Sequence, residues 1–583
     1  MRRSARVAAA GGLVLALALT ACSQNTGDGD GAADDTKQGS LDIIGTEADS
    51  TGPATPVADA KPGGTINYVG QTDFVHLDPS RTYVGSYMMV GSGLLWRTLN
   101  GYRENGDGSI KLVGDLATNP GKDVNGDCKT WEYTLKTGLK YQDGTEITAA
   151  DVAYGVARSF TPELGEGAQF LQNWLQESRD YKGPYDGEKI PPGVAVDGNK
   201  ITFSFDKARC ELPFAVAMPN TAPVPEGKDT KADYDKKPFS SGPYKIESRT
   251  IDESMTLVRN EFWDAATDPI RHNYPDKFVF KFGNEPQDTS VRIEANAGGD
   301  ENLFTFSQVF PDMLSQVTAD KAKYDGRYVE GSQKYNGYIA INNNRVKDLA
   351  TRQALNYAFP RDRWVQLQGG EYASKASTTF MTPSVPGYKE FNAYPTNLDK
   401  AKELLGGKTV KLRYAYSNSS ELDGQIASMF KDEYAKIGVE LETVPLEPTG
   451  WYDQIGDPTN DYDMYWAGWG ADWPSGSTVI PPCLGEDGIS DVPGASTNYS
   501  YFTQPDIEAE IDRLEALPIS ESLPAWGTLD ETIMTKYAPY IAADYSAGVW
   551  MSGSNVGGLY LNENLSTLDI SKLFLRDPAL NAS

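Results

Sequence analysis

The chain has 583 residues, with 53 Lys and Arg against 81 Asp and Glu, a formal net charge of −28 and only two histidines, His76 and His272. So acidic a surface repels nucleic acid and anionic lipid headgroups. Two distant histidines, with no CxxC, HExxH or GxSxG, leave zinc chemistry and a Ser-His-Asp triad without their residues.

In chain order, the N-terminus MRRSARVAAAGGLVLALALTAC carries Arg2, Arg3 and Arg6 ahead of an apolar run to Leu19. That run is shorter than the about 20 residues a spanning helix takes, and it has the pattern of an export signal. Its end, Leu19-Thr20-Ala21-Cys22, resembles a bacterial lipobox, which implies diacylglycerol on the Cys22 thiol and cleavage before it. An ordinary signal with a chance cysteine is the plain alternative. Two acyl chains anchor stably where one is marginal. Residues 1–21 are therefore expected to be a lipoprotein signal peptide, and the polar, acidic segment 22–62 a disordered tether.

GGTINYVGQ then reads as a strand and loop. WEYTLK alternates Trp131, Tyr133 and Leu135, and ITFSF alternates Ile201, Phe203 and Phe205, the period of half-buried strands. Between them TAADVAYGVARSF starts a helix at Thr148, with Asp151 three residues on as a capping box. Beyond Cys22 the cysteines are Cys128, Cys210 and Cys483, and one disulfide plus one thiol is the simplest arithmetic for an exported chain. Antiparallel pairing of the two strands would bring Cys128 beside Cys210; the state of Cys483 stays open. DVNGDCKTW spaces Asp123, Asn125 and Asp127 as a calcium loop does, but its sixth position is Cys128 and its twelfth Tyr133, so a polar turn is expected.

Further on, Asp348 caps a helix that Pro360 stops or bends, NLDKAKELLGG is a short helix closed by Gly406, and GQIASMFKDEYAKIG is a helix ahead of the strand VELETVPL. Gly406-Gly407-Lys408-Thr409 lacks the earlier glycine of a phosphate loop. The mixture indicates α/β or α+β architecture. DYDMYWAGWGADWPSG (461–476) gathers aromatics around glycines, with Asp472 between Trp469 and Trp473. A packing cluster at a domain edge is the plain reading of it. No catalytic constellation, metal site or cofactor motif emerges.

Several phrases in order resemble the family 5 extracellular solute-binding proteins, the oligopeptide- and dipeptide-binding components of ABC importers. They include HLDPS (76–80), WEYTLKTGLKYQDGTEITAADVAYGVARSF (131–160), SSGPYKIES (240–248), GYIAINNNRVKDLATRQALNYAFPRDRWV (337–365), IASMFKDEYAKIGVELETVPL (426–446) and DYDMYWAGWGADWP (461–474). The resemblance implies an α/β, two-lobed periplasmic-binding-protein-like fold (type II, cluster C-like) with an extra inserted domain in the N-terminal lobe and a ligand cleft between lobes. One lobe would hold 63–97, 222–334 and 540–583, the inserted domain 98–221, and the other lobe 335–539, with hinge crossings near Ser332–Asn336 and Ala538–Ile541. Ligand would close the lobes, and the loaded form would dock on a permease and its ATPase subunits.

By the same resemblance, Gly468-Trp469-Gly470-Ala471-Asp472 matches the phrase whose aspartate receives a peptide's α-ammonium, which makes Asp472 the candidate carboxylate. Trp466, Trp469 and Trp473 would be apolar walls, Gly468 and Gly470 would let ligand near the backbone, and Tyr83 would line the same cleft. No Lys or Arg stands between Trp451 and Gly468, and Trp466 takes a place where an arginine can stand. These departures leave room for an oligosaccharide, a metal chelate, another small solute or a signalling peptide. The implied protein is a monomeric binding protein, not an enzyme, without a cofactor, held by lipid at the outer face of the cytoplasmic membrane.

Overall fold

Period-two alternation decides where the sheets form. A computed structural model describes residues 41–106, 109–185 and 187–580. The strands that build its three larger sheets are, in chain order, β1 (Thr65–Val69), β2 (Asn100–Glu104), β3 (Ile110–Gly114), β4 (Lys122–Asp123), β5 (Thr130–Thr134), β6 (Val194–Asp197), β7 (Lys200–Ser204), β8 (Tyr244–Thr250), β9 (Ser254–Arg259), β10 (Lys277–Lys281), β11 (Leu303–Phe304), β12 (Tyr328–Ile341), β13 (Ser374–Ala376), β14 (Val410–Ser417), β15 (Val439–Leu446), β16 (Met464–Gly470) and β17 (Tyr540–Met551), with β2 and β3 forming a separate hairpin.

In the first sheet β1 lies between β11 and β10, parallel to both, and β9 and β8 continue it antiparallel. Ile66, Tyr68, Leu257, Phe278 and Phe280 supply its core. The second sheet has the order β4-β5-β7-β6. Its β5 and β7 pair antiparallel from Thr130↔Ser204 to Thr134↔Lys200, which buries Trp131, Tyr133, Ile201 and Phe203. Helix Ala149–Arg158 packs in the same core and starts on a capping box made by Thr148 and Asp151. Just past the pair, Cys128 and Cys210 form a disulfide, while Cys483 is a buried free thiol. The Asp123 carboxylate accepts from the backbone N–H groups of Gly126 and Cys128, so this stretch is a turn.

The third sheet runs β13-β17-β12-β16-β14-β15. One face is covered by helices Leu349–Tyr357, Arg361–Leu367, Leu398–Leu405 and Glu421–Ala435, and the other by Pro505–Glu515 and Ile519–Tyr537. Asp348 caps the first of these, and Gly406 closes the third at φ +59, where a side chain would be strained.

The long strands β12 and β17 join the lobes. Tyr328 pairs with Met551 beside the first sheet's Val69 and Leu303, whereas Ile339 and Ile341 lie in the core of the third sheet. The ladder breaks between Ser332 and Asn336, opposite Ala547 and Tyr545. The second crossing was expected at Ala538–Ile541, but Ala340 pairs with Tyr540 well inside the third sheet, so the two passages come abreast nearer Tyr545–Ala547. The fold is α/β and two-lobed, with the second sheet's segment set into the first lobe.

The signal peptide, the cysteine at 22 and residues 23–40 lie outside the described residues. Residues 41–62, expected to belong to a disordered tether, instead pack on the folded body, 43–50 on the β2–β3 hairpin and Gly52 and Val57 against Ala265 and Tyr274. Leu112 N–H donates to Ile43 O (2.7 Å), Gly45 N–H donates to Leu112 O (2.8 Å), and Arg103 pairs with Asp49 at 2.8 Å. The acidic composition masked Ile43 and Ala54, which are buried, and Ile44, which bridges to Leu112 and covers a hairpin edge that would otherwise offer unpaired backbone groups. Among the described residues, no helix is long and apolar enough to cross a membrane.

Candidate functional site

The aromatic-glycine stretch is the strand β16 and the loop that leaves it. β16 pairs antiparallel with β12 in the register Tyr335↔Gly470, Asn336↔Trp469 and Gly337↔Gly468. Alternation then separates its side chains. Tyr465, Ala467 and Trp469 face the core that includes Ile480, Cys483 and Trp526. Met464 and Trp466 face the opposite core, among the helices around Phe430. Trp466, expected as a cleft wall, therefore points away from Trp469, because two residues an odd number apart on a strand lie on opposite faces.

The glycines also have packing reasons. A Cβ on Gly470 would come within 2.3 Å of the Tyr335 ring, and one on Gly468 within 3.1 Å of Asn336 O. Trp469 donates its backbone N–H to Asn336 Oδ1 (3.1 Å) and its indole N–H to Thr478 O (2.6 Å). Asp472 N–H donates to Thr478 Oγ1 at 3.0 Å. These bonds fold the 471–478 loop back on itself and leave the half-buried Asp472 carboxylate aimed across the cleft. There it accepts from Tyr83 Oη at 2.5 Å, a contact between segments 389 residues apart.

Burial raises the Asp472 carboxyl to a pKa of about 6, against the opposing pull of the Tyr83 hydroxyl and the positive charge of Lys334. Burial likewise lowers Lys334 to about 8, with Asp472 opposing. Tyr83 is pushed up by burial and by the Asp472 charge. Tyr83, Trp469 and Asp472 line a cleft of about 1370 Å³, together with Phe170, Trp174 and Arg209 of the inserted segment.

Trp473 does something different from its neighbour. It is 2 % exposed, with its ring 4.5 Å from Phe170 and 5.9 Å from Trp174. Its indole N–H donates to Glu211 Oε2 at 2.7 Å, Ser475 Oγ donates to Glu211 Oε1 at 2.7 Å, and Ser477 Oγ donates to the same carboxylate. Nearby Arg209 pairs with Glu515 at 3.1 Å, and its guanidinium stands 4.9 Å from the Trp174 ring centroid. Trp473 is thus a wedge that joins the inserted segment to the second lobe, and it lines the same cleft as Trp469 and Asp472. The Cys128–Cys210 disulfide ties the loop carrying Arg209 and Glu211 to the second sheet.

Sequence reading missed Glu211, Phe170, Trp174, Lys334 and Tyr335. The first three lie more than 260 residues from the loop they hold. Tyr335 pairs with Gly470 and Lys334 is one step beyond, so pairing the strand phrase 337–341 with 464–470 would have exposed them.

The comparisons agree with this architecture. The model of bacterial extracellular solute-binding proteins, family 5, matches residues 111–491. The oligopeptide-binding protein AppA of Bacillus subtilis strain 168 is 23% identical over 363 residues, 58% of this chain and 62% of that protein, so the match spans less than two thirds of that relative's length. The solved clavulanic acid biosynthesis oligopeptide binding protein 2 is 25% identical, with a TM-score of 0.82 over 93% of this chain and all of that one. A solved DppA from Helicobacter pylori, in complex with the peptide STSA, is 18% identical, with a TM-score of 0.65 over 89% of this chain and 99% of that one. The family is one of binding proteins rather than enzymes, and this chain belongs to it: it is a bacterial extracellular solute-binding protein of family 5.

Proposed function

We propose that the chain captures peptides in the cleft between its lobes and hands them to the permease of an ABC importer, with Asp472 receiving the α-ammonium. The observation that carries this reading is the Asp472 carboxylate itself, half-buried in the cleft and held by Tyr83 from the opposite side. A carboxylate in that setting favours a cationic partner, since a buried charge needs a counter-charge and donors. The cleft volume of about 1370 Å³ is above the range of about 300–1,000 Å³ usual for single drug-sized ligands, which suits an oligomer. The names of the relatives, oligopeptide-binding in two cases, point the same way.

In this reading Trp469 offers a ring face to the ligand while its N–H is occupied by Thr478. Residues 63–97, 222–334 and about 546–583 form one lobe with 98–221 inserted, and 335 to about 545 form the other. The chains exchange near 332–336 and 545–547, which serve as hinge. Cys22 carries the lipid that keeps the protein at the outer face of the cytoplasmic membrane, and the protein acts as a monomer.

Native mass spectrometry of soluble protein lacking residues 1–22 tests the ligand class. Denaturation is expected to release peptides that travelled with the folded protein. A saccharide or a metal chelate in their place would overturn the reading.

A further inference from the structure

The cleft that Asp472 lines is also lined by four cations, Arg179, Lys182, Lys207 and Arg209, all carried by the inserted segment. Arg179, Lys182 and Lys207 are exposed and stand among exposed acids such as Asp180 and Asp206, so solvent screens both signs. Arg209 is built in. Its backbone N–H donates to Cys128 O at 2.8 Å, and the next residue, Cys210, is in the disulfide with Cys128. Its side chain is 16 % exposed. The guanidinium stands 4.9 Å from the Trp174 ring centroid and donates from Nη1 to Glu515 Oε2 at 3.1 Å. One arm of the fork is thus held by a carboxylate, and the ring beside it orients the rest. The opposite edge, Nε–H and Nη2, has no acceptor among the described residues; Nε is sealed in, and Nη2 is left open. A buried charged donor without an acceptor is costly, so this edge calls for a partner. Burial raises the Glu515 carboxyl against the pull of Arg209, and it raises that of Glu211, whose oxygens already accept from Trp473, Ser475 and Ser477. Both acids therefore hold their charge less firmly than exposed ones do.

We propose that Arg209 is a specificity-determining residue, which receives the C-terminal carboxylate of the bound peptide on its Nη2 side. The proposal rests on the reading that peptides occupy this cleft. Asp472 belongs to the second lobe and Arg209 to the inserted segment, so two different segments each bring one fixed charge to the cleft, of opposite sign. That is the complement of a chain with an ammonium at one end and a carboxylate at the other. It also accounts for the lack of Lys and Arg between Trp451 and Gly468: the base comes from the inserted segment instead. The long-range field works in the other direction, since a chain of formal net charge −28 repels an anionic terminus. A preference for the free acid therefore needs a local, ordered cation, and Arg209 is the one whose backbone, ring contact and ion pair fix it in place. The ligand class is peptides with a free C-terminus, and peptides amidated there are discriminated against.

Tri-, tetra- and penta-alanine, each as the free acid and as the C-terminal amide, are titrated into wild type and Arg209→Gln. The amide keeps the ammonium and the length and loses only the terminal charge. In wild type, amidation is expected to cost at least about tenfold in affinity at the length whose ends reach both groups, as loss of a charge-assisted pair in a partly desolvated site would. In Arg209→Gln the acid and amide of that length should bind within about threefold of each other, and Arg209→Lys, which keeps the charge without the planar fork, should recover part of the difference. Loss of the Glu515 contact would weaken acid and amide alike, so their ratio isolates the carboxylate from the joint. Circular dichroism checks that each variant is folded. Equal binding of acid and amide by wild type at every length, or a preference that survives Arg209→Gln unchanged, would overturn the proposal and leave peptide capture by Asp472 standing. Binding of Ala-Glu-Ala amide as tight as that of tri-alanine would give the base to an acidic side chain and overturn the terminal assignment. If none of these peptides binds, peptide capture fails and the role of Arg209 fails with it.

Discussion

Replacing Glu211 with Ala is expected to destabilise the protein by about 2–4 kcal/mol and to loosen the joint between the inserted segment and the second lobe. The carboxylate accepts from Trp473 Nε1, Ser475 Oγ and Ser477 Oγ, and Trp473 and Ser475 are buried. Truncation leaves Ser475 Oγ without this acceptor and Trp473 Nε1 with only Ser477 Oγ at 3.2 Å, and each buried donor left without a partner costs about 1–3 kcal/mol. Relief of the desolvation that raises the Glu211 pKa offsets part of this. Glu211→Gln keeps the volume and one strong acceptor and should cost less. The pH dependence carries a definite sign. Because the folded state holds the Glu211 proton more tightly than the unfolded state, the group's contribution is full below its ordinary value of 4.5 and is lost as pH rises through the folded pKa. Glu211→Gln should remove that decline from the stability curve. Urea unfolding measures both effects; an Ala variant within about 0.5 kcal/mol of wild type, the range of ordinary surface changes, would show that the joint is not held by this carboxylate.

The second large effect concerns binding. Asp472→Asn should weaken a free-amine peptide by about 2–5 kcal/mol, the loss expected when one partner of a desolvated charge pair is truncated. Burial raises the Asp472 carboxyl to about 6, and an ammonium ligand binds its ionised form. Wild-type affinity should therefore level off about one unit above pH 6 and fall towards tenfold per unit below it, while the Asn variant stays flat over that range. Calorimetry from pH 5 to 7 reads both. Identical profiles for wild type and variant would take Asp472 out of the site. The loss of the Tyr83 bond to a neutral amide is a smaller stability effect, of about 1 kcal/mol.

Local patterns in the sequence were good guides to local structure. Alternation at Trp131 and Tyr133 and at Ile201 and Phe203 gave two strands that pair, and Thr148, Asp348 and Gly406 sit at helix ends because capping is decided by neighbours in the chain. The family phrases carried the two-lobed architecture. The site was legible only in part. Asp472 and Tyr83 meet in the cleft, but three tryptophans within eight residues have three different settings: Trp469 on the cleft face, Trp466 on the reverse face, and Trp473 lining the cleft while its indole N–H and ring are packed into a joint. The strand ends at Gly470, and the two-residue period that separates Trp466 from Trp469 has no hold on Trp473 beyond it. The partners of Trp473 are set by how distant segments pack, which no window of sequence contains. The same holds for Ile43 and Ile44, which matter only because the β2–β3 hairpin presents an edge to them.

The most direct test of Asp472 as an ammonium receptor leaves the protein untouched and alters the ligand. The same peptide is titrated into wild-type protein with a free N-terminus and with that terminus acetylated. Acetylation removes the positive charge and leaves the rest of the peptide in place. The free form is expected to bind at least about thirtyfold more tightly, the equivalent of about 2 kcal/mol. Equal affinities for the two forms would contradict the assignment of Asp472 and, with it, the mode of peptide capture argued from this cleft.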